Sequence, residues 1–427
     1  MSERTDTSTA PRPATAPAAP DHDQPRRPRP FLRQLALVGP AFVVGAWQFG
    51  PGNLTTAVQA GSAYGYTLVW VIAVSTVLML VYTDMSVRLG IRTPVSLITS
   101  IKEHLGRPTG WVAGVGVFCI TLMFSVGNAV GSGLGLSMVF GGRPVLWSIL
   151  ATVAVALVLL ARNVYSVVER MLVAVVALMS VGFVTSAFVA RPDWAQAAYG
   201  LVPELPAGST VLVVALVGTN FSINAAFYTA YCTRERRRRA AEYRDVTVAD
   251  TVPGIVAPGI MTALVIVVAA AVLGATGEKA TTIVGLAKVF EPLGGSVGAL
   301  LFALGLSGAA FSSMVANATA GGTMLSDALG RGPSSGSPTA KVVTGAILAF
   351  GLATTLLFQG SPVELIVVAQ SLTVLVAPVL GALILVMSNR RSLMGDLRNR
   401  PWQNVVGAIG LVAIIATSVR LATTLLS

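Results

Sequence analysis

The chain has 427 residues, of which 54% are hydrophobic and 11% charged, with a mean hydropathy of +0.75. A water-soluble protein of this length carries far more charge on its surface, so a soluble globular class is excluded. The net charge of +11 would suit a nucleic-acid binder only as one continuous basic stripe, whereas the cations here collect in alternate loops.

The first 30 residues are rich in Pro, Ala, Thr and charge and lack an apolar core, so they read as a disordered tail rather than a signal peptide. Beyond Phe31, apolar runs of about 20 residues recur, each long enough to cross roughly 30 Å of hydrocarbon as a helix. We read eleven spans, at about 35–59, 66–89, 110–138, 144–162, 168–190, 207–233, 250–275, 293–323, 339–359, 363–388 and 403–426. With that register, one side holds 22 Lys and Arg. They include Arg26, Arg27, Arg29, Arg33, Arg162, Arg170, the run "RERRRR" at 234–239 and the loop "NRRSLMGDLRNR". The other side holds 4: Arg143, Arg191, Lys279 and Lys288. The positive-inside rule then predicts a cytoplasmic N-terminus and, after an odd number of crossings, an external C-terminus, in a cytoplasmic-type membrane. The 234–239 cluster also suits attraction to anionic lipid.

The first span contains "WQFGPGNLTTAVQAGSAYGYTLVW", where Gly50, Pro51 and Gly52 interrupt an otherwise apolar helix beside Gln48 and Asn53. Glycine lacks a side chain and proline an N–H, so both release backbone groups. In lipid, such a break is tolerated only against protein or a wet cavity. In the second span Asp84 precedes Arg88 by one turn, which predicts a local ion pair. The third span carries Cys119 and Asn128. The cysteine, like Cys232 later, reads as packing, and Asn128 in "SVGNAVGSG" as a hydrogen bond between helices. The sixth span, "VLVVALVGTNFSINAAFYTAY", has no proline, but Gly218, Thr219, Asn220, Ser222 and Asn224 interrupt its apolar run. Ser222 and Asn224 are two apart and meet one substrate only if the helix unwinds there. Asp250 opens the seventh span, where capping of that helix is expected. Pro253, Pro258 and Pro378 mark kinks, and Gln370 in the tenth span reads as a structural hydrogen bond.

Interrupted spans at corresponding positions, the first and the sixth, point to an inverted-repeat transporter with its site at the midplane. The expected division is a tail over 1–30, one repeat over 31–200, a second over 201–389, and an eleventh span over 390–427.

These motifs resemble the NRAMP family of proton-coupled divalent metal transporters. "GPGNLTTAVQAGSAYGYTLVW" is similar to that family's first-span DPGN signature. "RLGIRT" at 88–93, "VGSGLGLSMVFGG" at 130–142 and "QSLTVLVAPV" followed by "NRRSLMGD" resemble its second, third and tenth spans and their loops. The resemblance implies an all-α integral membrane protein of the LeuT type, two five-helix inverted repeats plus one helix. It also implies where the family's ligands would fall. Its metal-binding Asp becomes Gly50 while its Asn is kept as Asn53; its sixth-span Met becomes Ser222; its tenth-span Gln becomes Val376. The acids implicated in proton transfer become Ser125 and Asn128, and the sixth-span histidines become Asn224 and Thr229.

A census of the residues agrees with those departures. Both histidines, His22 and His104, lie outside the spans, and the 18 carboxylates lie in the tail, loops or span ends. Without thioether, carboxylate or imidazole, the midplane holds no soft ligand, no anion to meet a bare divalent ion and no group to relay protons. What remains for a substrate site is Gly50, Asn53, Asn220, Ser222, Asn224, Gln48, Asn128 and Gln370. A metal would meet Asn53, Gly50 and Ser222, directly or through water.

Three cargoes or roles fit that set. One is a divalent cation carried with most of its water, Mg2+ being favoured over Mn2+ and Fe2+ because it dehydrates reluctantly, with no stoichiometric proton coupling. Another is a neutral or zwitterionic organic solute. The third is a transceptor that kept the fold and lost turnover. No Walker loop and no membrane-embedded Ser–His pair is present, so the chain reads as a non-enzyme without cofactor, whose partners are a small inorganic cation or polar solute and the lipid bilayer.

Overall fold

The structure is a computed structural model and describes residues 39–160, 165–274, 280, 283–358 and 360–426. The expected tail, with Arg26, Arg27, Arg29 and Arg33, lies outside the described residues, as do Arg162 and Lys279. Among the described residues there is no strand. The helices, in chain order, are α1 (Pro40–Gln48), α2 (Pro51–Tyr64), α3 (Val69–Arg92), α4 (Leu97–Leu105), α5 (Arg107–Phe140), α6 (Pro144–Leu160), α7 (Tyr165–Val189) and α8 (Trp194–Tyr199). They continue as α9 (Thr210–Asn220), α10 (Ile223–Glu235), α11 (Val252–Val272), α12 (Ser296–Ala328), α13 (Pro338–Leu357), α14 (Pro362–Leu372), α15 (Ala377–Asn389) and α16 (Pro401–Leu426).

Each of the eleven apolar runs is occupied by a helix or by a broken pair. Seven helical segments are long and apolar enough to cross a membrane, and α14 with α15, bent by 42°, makes an eighth. Shorter apolar helices account for the fourth and fifth runs. Of the candidate spans among the described residues, Thr210–Glu235, the interrupted sixth run, is the most buried, so the chain places a broken helix in the middle of the bundle.

Long helices frame that centre. α5 and α12 pack along each other, and glycines make the approach possible: a Cβ on Gly114 would lie 2.1 Å from Ala328 Cβ, and one on Gly135 2.3 Å from Ser307 Oγ. In lipid, where apolar area drives no helix association, such small-residue contacts supply the packing. The apolar core is divided in two. One cluster gathers Trp47, Tyr82, Met85, Phe227 and Tyr231, and the other gathers Phe49, Leu54, Phe183, Phe290 and Phe302. Trp47 and Phe49, two residues apart, belong to different clusters, so the first break lies on the seam between them.

Proline positions explain the helix ends. Pro51, Pro253 and Pro378 each fall in the first turn of a helix, where a missing N–H costs nothing. Pro378 sits at the 42° bend between α14 and α15, the kink expected from the sequence, whereas Pro253 directly follows a π turn over Thr247–Thr251 in a continuous helical stretch. Pro258 lies in the interior of α11.

Candidate functional site

Both predicted breaks are present. α1 ends at Gln48 and α2 begins at Pro51, with Gly50 in extended conformation between them. α9 ends at Asn220 and α10 begins at Ile223, with Phe221 and Ser222 out of helical geometry. Two residues are unwound in each case. The first break follows from Gly50 and Pro51, because proline cannot donate to the preceding turn. The second has no proline; its freed Asn220 carbonyl takes its partner from the first segment, the Gln48 side chain.

Those partners form a chain across the bundle. Asn53 Nδ2 donates to Thr262 Oγ1 on α11 (3.0 Å) and to the carbonyl of Gln48 (3.3 Å). Gln48 Nε2 donates to the carbonyl of Asn220 (2.9 Å). Asn220 Nδ2 donates in turn to Ser75 Oγ and Thr76 Oγ1 on α3, both at 2.9 Å. Two carbonyls at helix ends, Gln48 and Asn220, are thus satisfied by side-chain amides rather than by backbone N–H. Gln48, Asn53 and Asn220 are all buried and brace the two breaks to each other and to α3 and α11.

Ser222 Oγ lies 3.4 Å from Asn224 Oδ1, so unwinding at Ser222 does bring this pair together. Asn224 Nδ2 has no hydrogen-bond partner among the described residues, and the residue is fully buried. Gly50 faces α12, where an added Cβ would lie 3.0 Å from Ser313 Oγ. Gln370 occupies a socket of three glycines. Added Cβ atoms on Gly52 and Gly127 would lie 2.6 Å and 2.5 Å from its side chain, and one on Gly218 2.5 Å from its carbonyl oxygen. Its Oε1 lacks a partner, so the structural hydrogen bond expected of it is not made through that atom. Asn128, expected to bond between helices, likewise leaves Nδ2 without a partner among the described residues.

Val376, where the resemblance places a glutamine, packs with Cγ1 against Gly116. Ser125 donates to the carbonyl of Ile347 on α13 (2.7 Å), and Thr229 to that of Ala225 (3.0 Å). Both hydroxyls are committed to backbone, and neither titrates in the range a proton relay needs.

The buried charged side chains among the described residues are Asp84, Arg88, Asp250 and Asp327, all near helix ends on the arginine-rich side. At 1.5 Å per residue, Asp84 stands about 14 Å along α3 from Ser75. By the same measure Asp250 stands about 18 Å from Thr262, and Asp327 about 21 Å from Ser313. None reaches the breaks. No group of three or more His, Cys, Asp and Glu able to hold a metal occurs among the described residues.

The Asp84–Arg88 pair forms as predicted, at 3.0 Å, and Tyr243 and Gln403 also donate to Asp84. Asp250 differs from expectation. Its carboxylate accepts from the backbone N–H of Gly39 (2.8 Å) and Ala41 (3.1 Å), so it caps α1 and not its own helix. The residues around it remain helical as a π turn over Thr247–Thr251, leaving no open N-terminus for it to cap. Sequence reading missed Asp327, which accepts from Ser96, Thr99 and Tyr231, and Thr262. The spacing Pro258-x-x-x-Thr262 was the available signal for the latter, since Thr262 donates to the carbonyl of Pro258 at 2.9 Å, one turn back.

Beside the second break, a crevice lined by Phe124, Gly218, Asn224, Thr373 and Val374 has about 220 Å³ of empty space, too narrow anywhere to seat a water. The site is closed in this conformation.

Comparison with known proteins agrees with this architecture. Residues 41–424 match the family model described as natural resistance-associated macrophage protein-like. A divalent metal cation transporter MntH of Klebsiella pneumoniae (strain 342) is 27% identical over 395 residues, covering 90% of this chain and 92% of that protein. MntH of Yersinia pestis (strain Pestoides F) is 28% identical over 313 residues, 71% of this chain and 75% of the relative. Among solved structures, a mutant manganese transporter of Eremococcus coleocola superposes with a TM-score of 0.75 at 18% identity, covering 93% of this chain and 88% of that one. MhsT in complex with L-phenylalanine superposes at 0.57 and 17% identity, over 88% of this chain and 98% of that one. These likenesses give the LeuT-type fold. Since the family model spans nearly the whole chain, the protein is a membrane transporter that belongs to the natural resistance-associated macrophage protein family.

Proposed function

We propose that this chain carries a divalent metal cation that keeps most of its water shell, with Mg2+ preferred to Mn2+, and that transport is driven by the ion gradient and membrane potential without stoichiometric proton symport. The relatives named as divalent metal cation transporters support the cargo class. The observation that carries the finer reading is the neutral lining of the two breaks. Gln48, Asn53, Asn220, Ser222 and Asn224 are buried, and the buried carboxylates among the described residues, Asp84, Asp250 and Asp327, stand more than about 13 Å away along their helices.

A bare divalent ion in such a site would lose its hydration against dipoles alone, at a cost of tens of kcal/mol. A hydrated ion asks only for hydrogen-bonding groups on its outer face. Amides, hydroxyls and the carbonyls now held by Gln48 and Asn53 supply these once the brace opens. Mg2+ retains its waters most firmly. At about 30 Å³ per water, six waters and the ion need roughly 180 Å³ of continuous space, so the crevice beside Asn224 must widen before cargo enters. The division into repeats over 31–200 and 201–389 and the inward-facing N-terminus belong to the same proposal. The arginine-rich loops all lying on one side support the orientation.

The test is uptake in proteoliposomes carrying an ion-selective dye and a pH dye. The expected result is Mg2+ entry that rises with an inside-negative potential while luminal pH stays constant. Manganese entry with luminal acidification would overturn both finer statements. Thermal stabilisation by amino acids, with no response to either metal, would move the cargo to an organic solute.

A further inference from the structure

One cavity stands apart from the two breaks. It lies at the arginine-rich end of the bundle, encloses about 610 Å³ and is lined by Arg88, Arg244, Arg398, Arg400, Tyr243 and Trp402, among others. We propose that this cavity binds the phosphate of an anionic phospholipid headgroup.

Its floor is built and rigid. Arg88 is 2% exposed, and its guanidinium is held by Asp84 at 3.0 Å, by the Leu397 carbonyl at 2.8 Å and by Asn399 Oδ1 at 2.9 Å. These bonds use three of the five N–H groups of the fork, one on each nitrogen, and leave one on each terminal nitrogen. Arg88 is therefore presented to the cavity in a set orientation, with its own charge balanced by Asp84. Arg244, Arg398 and Arg400 come from two separate segments and, among the described residues, carry no side-chain hydrogen bond or ion pair. The acid on this wall, Asp396, is fully exposed and sits 4.0 Å from Arg92. Planar guanidinium groups converging from separate segments suit a phosphate, which they meet with paired N–H donors.

The rim identifies the source of that phosphate as lipid. Trp402, which lines the cavity, is 56% exposed at the start of α16. Val405 and Ile409, on the following turns of the same helix, and Val248 opposite are all exposed apolar side chains. An aromatic at the helix end with an apolar face below it is the arrangement of a membrane interface. Basic pockets at this depth match anionic headgroups. A free phosphate would use the arginines and leave the apolar rim without a role.

The full-length protein in a zwitterionic detergent, with phosphatidylglycerol, phosphatidylcholine or inorganic phosphate added, tests this by native mass spectrometry and thermal shift. Phosphatidylglycerol is expected to bind and stabilise, and phosphatidylcholine and millimolar inorganic phosphate are not. The variant R244Q/R398Q/R400Q alters exposed side chains only and should melt as the parent does without lipid, while binding phosphatidylglycerol about a hundredfold more weakly. Equal binding of both lipids, or unchanged binding by the variant, would overturn the site. Binding of inorganic phosphate as tight as that of the lipid would overturn the lipid assignment. A second variant, Trp402→Ala, should weaken phosphatidylglycerol binding while melting as the parent does without lipid. Equal lipid binding by Trp402→Ala and the parent protein would refute the role given to the rim.

Discussion

Removing the carboxylate of Asp250 should release the first half-helix at its outer end. That side chain accepts two backbone N–H groups, from Gly39 at 2.8 Å and Ala41 at 3.1 Å, across 211 and 209 positions of sequence. A neutral N-cap contributes about 1 kcal/mol, but hydrogen bonds to a charged acceptor are worth about 1.5–3 kcal/mol each. Two of them set an upper bound near 6 kcal/mol. Returning the buried carboxylate's own desolvation cost reduces the loss for Asp250→Ala to about 3 kcal/mol, or roughly a hundredfold in population. Asp250→Asn keeps one acceptor and should lose about half of that. The reporter is Ser313→Cys beneath α1, in a background with Cys119 and Cys232 replaced by Ala. Ser313 is 2% exposed and its Oγ lies 3.4 Å from the Trp47 carbonyl. Thiol modification should therefore be slow in the parent protein, about a hundredfold faster with Asp250→Ala and about tenfold faster with Asp250→Asn. Equal rates in all three, with unchanged melting temperature, would show that the cap does not hold α1 in place.

Three further outcomes are expected. Gly50→Asp combined with Ser313→Ala, which clears the 3.0 Å contact, places a carboxylate in the break and should tighten manganese binding at least tenfold in calorimetry. Gly52→Ala drives a methyl to 2.6 Å from Gln370 and should cost about 1–3 kcal/mol of stability by melting, recovered when Gln370→Ser is added. Asp327→Asn weakens acceptance from Ser96, Thr99 and Tyr231 and should lower stability by about 2–4 kcal/mol in denaturant titration.

The two breaks were legible from sequence because glycine, proline and a polar cluster interrupt apolar runs, and such interruptions have few explanations in lipid. The Asp84–Arg88 pair was legible because its partners share one helix face. What escaped was contact between remote helices. Thr262 and Ser75 look like ordinary hydroxyls bonding to their own preceding turns, which they also do, and nothing local shows that Asn53 and Asn220 reach them. Asp250 was assigned to the helix it opens, whereas its partner helix lies two hundred positions away. Asp327 sits at the last turn of α12, where a carboxylate reads as exposed until α4 and α10 are seen to cover it.

The socket around Gln370 has a consequence for how this protein can change over generations. Gly52, Gly127 and Gly218 come from three separate helices, yet each is held to hydrogen by the same neighbour, at 2.5–2.6 Å from where a methyl would stand. None of the three can gain a side chain while the glutamine keeps its size and place. A lineage that shortens residue 370 first frees Gly52 and Gly127 together, while Gly218, which meets the backbone carbonyl of that residue, stays fixed, so the order of substitutions decides which relatives are reachable by single steps.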